Sequence, residues 1–512
     1  MSPPTSSPRP ERAIPTSTTY LTGLRGFLSL AVVNSHLTPM IILGYDRLSL
    51  PATSPRNYAG ARQSRSVLSI PLVASCIKRW SRFTVPGLKL LYSGSPAVAM
   101  FFCISGYLAS RSYVRYVQRR EVGSVGLTKE DREGDGVAHE ASLPECNPRE
   151  IKQKQRSSHD HSWLSKWTPS LFHRPVRLLL LSALSMVPTF ICTKLGLISP
   201  LVPQAHGIVS LERAYRFGLD NFALFPTQLP SWLAQSLDLL QNSLKLVYVM
   251  SSSSDADIII SYNPVLWTVR HDLRAWLVLV AMQGALLGVK KSWRLFLIGT
   301  TGIVSMGSGS MPIPLFLGGW AIAELHHAED RKCEMMIREP KRQDYGGHRR
   351  YALGGSQRSA ISFFLLGTGL YFMSYPTWQP QRAPQFALIR SLNIAPRSWH
   401  SLGALLTLYS LRDVSSIRRL FEMRIAQFLG RYSFSIYLTH VIILATLGPA
   451  AFERVWKMTG YRSTPAFVAG FGIAYIAVMA GVLGTAATWR AFVEEPSRKA
   501  VAWLYKMASI EP

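Results

Sequence analysis

Residues Tyr20 to Gly44 read YLTGLRGFLSLAVVNSHLTPMIILG. The run is long enough to cross a bilayer as a helix, which takes about 20 mostly apolar residues. Arg25 and His36 interrupt it. Ionisable groups at membrane depth are costly, so they usually face a protein interior and mark a site. Their spacing is close to three helical turns, which points both side chains the same way, roughly 16 Å apart along one face. Taken alone, Arg25 also suits a long side chain that snorkels to the headgroups. His36 cannot snorkel, and its bland reading is an imidazole satisfied by a neighbouring helix.

Composition sets the frame around this stretch. The chain has 512 residues, of which 48% are hydrophobic, with 56 Lys and Arg against 29 Asp and Glu and a formal charge of +27. Its pI is about 10.2 and its mean hydropathy +0.12, because apolar runs alternate with basic loops. A basic balance suits nucleic acid, anionic lipid or a phosphate-bearing ligand. No zinc-finger spacing or aromatic ribonucleoprotein run is present, so a nucleic-acid partner is not expected and membrane lipid is. Cys76, Cys103, Cys146, Cys192 and Cys333 have no ligand spacing, so neither a disulfide framework nor a metal site is expected. Residues 1–19 are rich in Pro, Ser and Thr and lack an apolar core; they read as a disordered cytosolic N-terminus, with the first span as an uncleaved signal anchor.

Taken in order, the sequence predicts an all-α, polytopic membrane protein with about ten transmembrane helices. The spans lie near 20–43, 95–113, 175–196, 265–288, 293–308, 311–326, 359–375, 401–411, 432–449 and 465–490, within a membrane domain over 20–495. Lys and Arg crowd the loops after alternate spans, which puts those loops and both termini in the cytosol. The loop 44–94 is also basic, and long loops cross regardless of charge. The polar loop 120–167 reads as largely disordered, and 496–512 as a cytosolic tail. His159, Asp160 and His161 sit in that loop without metal-ligand spacing. His326, His327 and Asp330 superficially match the HHxxxDG motif of soluble condensation enzymes, but the Asp is one position early and no Gly follows it.

Further runs carry a pattern. The second span contains FFCISGYL, Phe101 to Leu108; the third opens FHRPVRLLL, with Arg174 and Arg177 on one face. The fourth opens YNPVLWTVRHDLRAW, with Asp272 five residues after Trp267. Later come LFLGGWAIAEL from Leu315 to Leu325, the Trp399–His400 pair, and FLGRYSFSIYLTH from Phe428 to His440. In this order they resemble the membrane-bound acyltransferase 3 family in a fungal-like version, over nearly the whole chain outside the loops. That family carries Glu where this chain has Asp272, a carboxylate of shorter reach; Arg270 and His271 also replace its usual small or apolar residues.

The resemblance implies a polytopic enzyme moving an acyl group, commonly acetyl from acetyl-CoA, onto a hydroxyl. The implied acceptor is a small molecule such as a fungal terpenoid or polyketide, with a sugar or a lipid as the alternative. The implied home is the endoplasmic reticulum or another endomembrane. Acyl-CoA enters as co-substrate, with no resident cofactor. Acyl transfer to an alcohol needs a base and a stabiliser of negative charge. His36 is the expected base and Asp272 its expected orienter, placed by depth counting within several ångströms of its level. Arg25, Arg174 and Arg177 are expected at the phosphates of CoA, since guanidinium forks onto phosphate. Ser105, Tyr107, Trp267, Tyr437 and His440 complete the expected substrate-binding set, with His440 as reserve base. Without an activated Ser or Cys motif such as G-x-S-x-G, direct transfer is expected rather than an acyl-enzyme. A transporter is the reading from another class, since intramembrane Arg and His also suit a substrate pathway; paired repeats with broken helices, common in transporters, are not visible.

Overall fold

The computed structural model describes residues 18–49, 87–133, 148–198, 225–247, 260–307, 310–338, 355–377, 381, 383–460 and 463–509. Among the described residues the regular structure is helical, with no strand. The α-helices are α1 (Thr19–Ser49), α2 (Gly94–Glu133), α3 (Pro148–Lys194), α4 (Trp232–Leu244), α5 (Trp267–Ala285), α6 (Lys291–Gly307), α7 (Pro312–Arg338), α8 (Gly355–Met373), α9 (Ala387–Ser391), α10 (Pro396–Leu411), α11 (Ser415–Glu422), α12 (Arg424–Thr459), α13 (Thr464–Trp489) and α14 (Glu495–Ala508).

Each stretch expected to span holds a helix among its described residues. Among the described residues, four segments are long and apolar enough to cross a membrane: Gly94–Gln118, Leu171–Lys194, Arg424–Thr459 and Thr464–Ala508. Other helices fall short for local reasons. Helix α6 has 17 residues and α10 has 16, below the usual length of about 20. Helix α5 carries Arg270, His271, Asp272 and Arg274 within its first turns.

The stretch expected to be disordered, 120–167, is helical at both flanks, where α2 runs on to Glu133 and α3 begins at Pro148. Extending an anchored helix costs far less than nucleating one. The expectations for residues 1–17 and 50–86 lie outside the described residues. The expected C-terminal tail contains α14, which packs on α3. Pro496 at its start has no N–H to waste there.

The core is built on close helix crossings. A Cβ at Gly26 would lie 2.5 Å from the backbone nitrogen of Gly430, and one at Gly430 would lie 2.1 Å from the Thr22 carbonyl. Helices α1 and α12 therefore touch backbone to backbone, which only a hydrogen side chain allows. The two run parallel and in step: Gln427 donates to the Thr19 carbonyl at 2.9 Å, the glycines meet next, and His36 meets His440 further on. Helix α2 runs antiparallel to α1, with Arg111 donating to Thr18 at 3.0 Å and Gly94 beside Ser35. Helices α3 and α5 are also antiparallel, joined by Asn263 to Ser185 and by Arg174 to Asp272, both at 3.0 Å.

Candidate active site

His36 stands on α1 and His440 on α12. The two imidazoles meet edge to edge in nearly parallel planes, 5.2 Å between centroids and 5° between planes, and Nδ1 of His36 lies 2.9 Å from Nε2 of His440. His440 is fully buried, and its Nδ1 sits 2.9 Å from the Tyr437 carbonyl and 3.1 Å from that of Ile436. Carbonyls only accept, so Nδ1 of His440 carries its proton and Nε2 its lone pair. Nδ1 of His36 is then the donor in the pair. The lone pair of His36 falls on Nε2, the form a general base needs.

The expected orienter is elsewhere. Asp272 accepts from Arg174 at 3.0 Å, and the hydrogen bond that aims the His36 ring goes to His440. Depth counting misplaced Asp272 because it started α5 at a membrane surface. The segment before α5 is instead deeply buried. Tyr262 and Asn263 are 0% and 3% exposed, and the Asn263 amide donates to the Leu438 carbonyl at 2.9 Å. The start of α5 thus lies level with the histidine pair, and Asp272 lies about one and a half turns further along, paired with Arg174.

A cavity of about 840 Å³ opens beside this cluster. Arg25, Arg174, Arg177, Ser105 and Tyr437, expected at the substrate, and Asp272, expected beside His36, line it. The Arg174 guanidinium lies 5.8 Å from the Trp276 ring and 5.7 Å from the Phe316 ring, which holds a cation without neutralising it. The histidine pair does not line the cavity among the described residues. It sits behind Tyr437, whose ring is 6.0 Å from that of His440 and whose hydroxyl donates to the Val265 carbonyl at 2.7 Å.

Two expected residues go elsewhere. Trp267 is 38% exposed and turns its ring edge-on to His271, away from the cavity. Tyr107 is 5% exposed, with its hydroxyl 3.3 Å from Nδ1 of His326. Nε2 of His326 donates to the Tyr409 carbonyl at 3.0 Å, which leaves Nδ1 to accept from Tyr107. Below it Arg412 and Arg358 bind Glu329, Asp330 and Asp413. The discarded His326–His327–Asp330 match is thus part of a helix-tying ion network. Trp399–His400 also packs inside: Nε2 of His400 donates to the Tyr375 carbonyl at 2.8 Å and Nδ1 accepts from Ser95 at 3.0 Å.

Sequence reading missed Arg431, Arg498, His173 and Glu494, which line the same cavity. Arg431 stood inside the quoted FLGRYSFSIYLTH run, and its position directly after Gly430 was the available signal. Glu494 ends a π-helical turn, Arg490–Glu494, that swings α14 and Arg498 over the cavity. Single π-turns inside α-helices are frequent at functional sites.

This chain is similar to Acyltransferase R4 of Phoma sp., 38% identical over 511 residues that cover 98% of each chain. It is also similar to Acyltransferase clz18 of Cochliobolus lunatus, 40% identical over 501 residues, 96% of this chain and 97% of that one. No protein-family model matches it. No solved structure matches it either.

Proposed function

The chain belongs to the family of fungal acyltransferases that holds these two relatives, and on that premise we propose a multi-pass membrane enzyme that moves an acyl group, acetyl in its simplest form, from acyl-CoA to a hydroxyl of a small molecule. The acceptor class we infer is a fungal secondary metabolite such as a terpenoid or polyketide, and the site of action an endomembrane such as the endoplasmic reticulum. About ten spans fit the parallel run of α1 and α12, which requires an odd number of crossings between them.

The observation that carries the reading is a helical spacing that occurs twice. On α1, Arg25 lies about 16 Å along the axis from His36. On α3, Arg174 lies the same number of residues from Ser185, which Asn263 ties to the Leu438 carbonyl beside the histidine pair. A pantetheine arm spans roughly 15–20 Å by chain length. Phosphates held at Arg25, Arg174 and Arg177 would then bring the thioester to the level of His36.

The chemistry follows from the tautomers. The acceptor hydroxyl gives its proton to Nε2 of His36 as its oxygen attacks the thioester carbonyl. The resulting imidazolium keeps its Nδ1–H bond to His440, which holds the ring in place and spreads the charge. Collapse of the tetrahedral intermediate breaks the C–S bond, and the departing thiolate takes the proton back from His36. Atoms and charge balance without a covalent enzyme intermediate.

The test is thiol release from acetyl-CoA by membranes carrying the chain, across a panel of alcohols of rising hydrophobicity. Release dependent on one acceptor class, and absent from membranes carrying His36→Ala, is the expected result. Acyl transfer that proceeds from a donor without the nucleotide phosphates as well as from acetyl-CoA would overturn the donor assignment.

A further inference from the structure

Helix α4 has its polarity inside out. Its inward face is polar and satisfied. Gln235 donates to the Tyr262 hydroxyl at 2.7 Å, Tyr262 donates to Asp238 at 2.8 Å, and Asn242 accepts from the Ser261 backbone at 3.2 Å. Ser231 caps the start, accepting from the Ala234 N–H at 3.0 Å. The outward face is apolar. Leu233, Leu237, Leu240 and Leu244 recur at helical spacing and are 70%, 58%, 56% and 50% exposed. Trp232 and Val247 extend this ridge. A helix facing water carries the opposite pattern.

With 13 residues, α4 extends about 20 Å, too short to cross a hydrocarbon core of about 30 Å. Helix α3 gives its depth. From Arg174, in the cavity, to Lys194, at the far end, is about 30 Å along the axis, one hydrocarbon thickness. At that far end Lys194 lies over the Trp232 ring at 5.4 Å and donates to the Leu229 carbonyl at 2.8 Å. Tryptophan and snorkelling lysine gather where the acyl chains meet the headgroups.

We propose that α4 lies in the plane of the membrane, its leucine ridge sunk into the acyl chains of the leaflet opposite the arginine cavity, so that its partner is lipid rather than water or a second copy of the chain. This rests on the membrane placement of the chain and not on the identity of the acyl donor. The polar face connects onward. Tyr262 adjoins Asn263, which bonds Leu438, and Tyr437 bonds Val265. The leaflet is thereby coupled, through side chains and one short segment, to the helix turn that carries His440.

The test uses the full chain in liposomes of phosphatidylcholine and phosphatidylethanolamine, with a photoreactive benzoyl-phenylalanine placed at Leu237. A second chain carries the same group at Ile476, an exposed position on α13, as the membrane control. Light should add the mass of one phospholipid at both positions, with thiol release from acetyl-CoA retained by the Leu237 variant. A chain-to-chain adduct at Leu237 would overturn the proposal in favour of a dimer contact. Absence of any lipid adduct at Leu237, with the Ile476 control labelled, would overturn it as well. Loss of the lipid adduct at both positions would instead refute the membrane placement itself. As a second readout, Leu237→Cys should resist a membrane-impermeant maleimide, and rapid labelling would count against burial in lipid.

Discussion

Arginines sit in two kinds of place in this molecule, one sealed in the core and one open to a cavity, and behave in opposite ways. Arg294 on α6 is fully buried and donates twice to Glu324 on α7, at 2.8 and 3.1 Å, with both side chains 0% exposed. Its third bond goes to the Val289 carbonyl at 2.6 Å. That site is closed: one cation, one anion and matched geometry. The cavity is different. Among the described residues, Arg25, Arg174, Arg177, Arg431 and Arg498 line it with Asp272 and Glu494 as its carboxylates, and Glu495 pairs with Arg498 from outside the lining. Burial of ions is costly unless they are paired. A balanced pair therefore reads as structure, and a cationic surplus around open volume reads as a place for an anion that arrives from outside. Glu324, the acid of the quoted LFLGGWAIAEL run, belongs to the first kind.

Substitution at each place should break this contrast or sharpen it. The largest effect is expected beside the cavity, where His36→Ala should lower turnover by about 10²–10⁴-fold, the usual worth of a general base. The folded fraction, read by detergent gel filtration, should not change. Next, Glu324→Leu should strip Arg294 of its partner and lower stability by about 3–5 kcal/mol, the usual cost of an orphaned buried charge. Joint replacement with Arg294→Met should recover most of that loss in thermal unfolding, while the KM for acetyl-CoA stays fixed in both variants. A large KM change in either would merge the two sites into one.

His440→Ala should cost less than His36→Ala, about 10–100-fold, the range for a residue that aims another. The loss should appear in kcat and leave the donor KM alone. If His440→Ala proves the more damaging of the two, the roles assigned to the pair are reversed. The smallest effect is expected at Arg25→Lys, which keeps the charge but loses the fork. The donor KM should rise about tenfold, equivalent to about 1.4 kcal/mol, with kcat and the acceptor KM little changed. An unchanged donor KM would make Arg25 a snorkelling anchor and move donor binding to Arg174 and Arg177.

The long helices and three of the cavity arginines, Arg25, Arg174 and Arg177, were legible in the sequence because both are local signals. An apolar run announces a helix by length, and Arg174 and Arg177 announce a shared face by spacing. What sequence could not supply was contact across the chain. His36 and His440 are 404 positions apart, and only the packing of α1 on α12 brings them to 2.9 Å. The Asp272 assignment failed for the same reason, since the depth of a helix start depends on what surrounds it, here Asn263 and Ser185. Helix α4 escaped notice because 13 residues are too few for a span, and its alternation of Leu with Gln, Asp and Asn resembles that of any soluble amphipathic helix. Only the direction of each face gives it meaning.

The contact between Gly26 and Gly430 has a consequence for how such a chain tolerates change. Smooth helices can slide past one another, but two rods notched into each other cannot. The notch fixes a common zero, and each histidine stands ten positions beyond it on its own rod. Inserting one residue between Gly26 and His36 would swing the imidazole through about 100° and carry it 1.5 Å along the axis, out of register with its partner. The same insertion in a surface loop would leave that gauge untouched. Length is therefore rigidly specified over two short intervals, far apart in the chain and side by side in space, while the loops are free to grow.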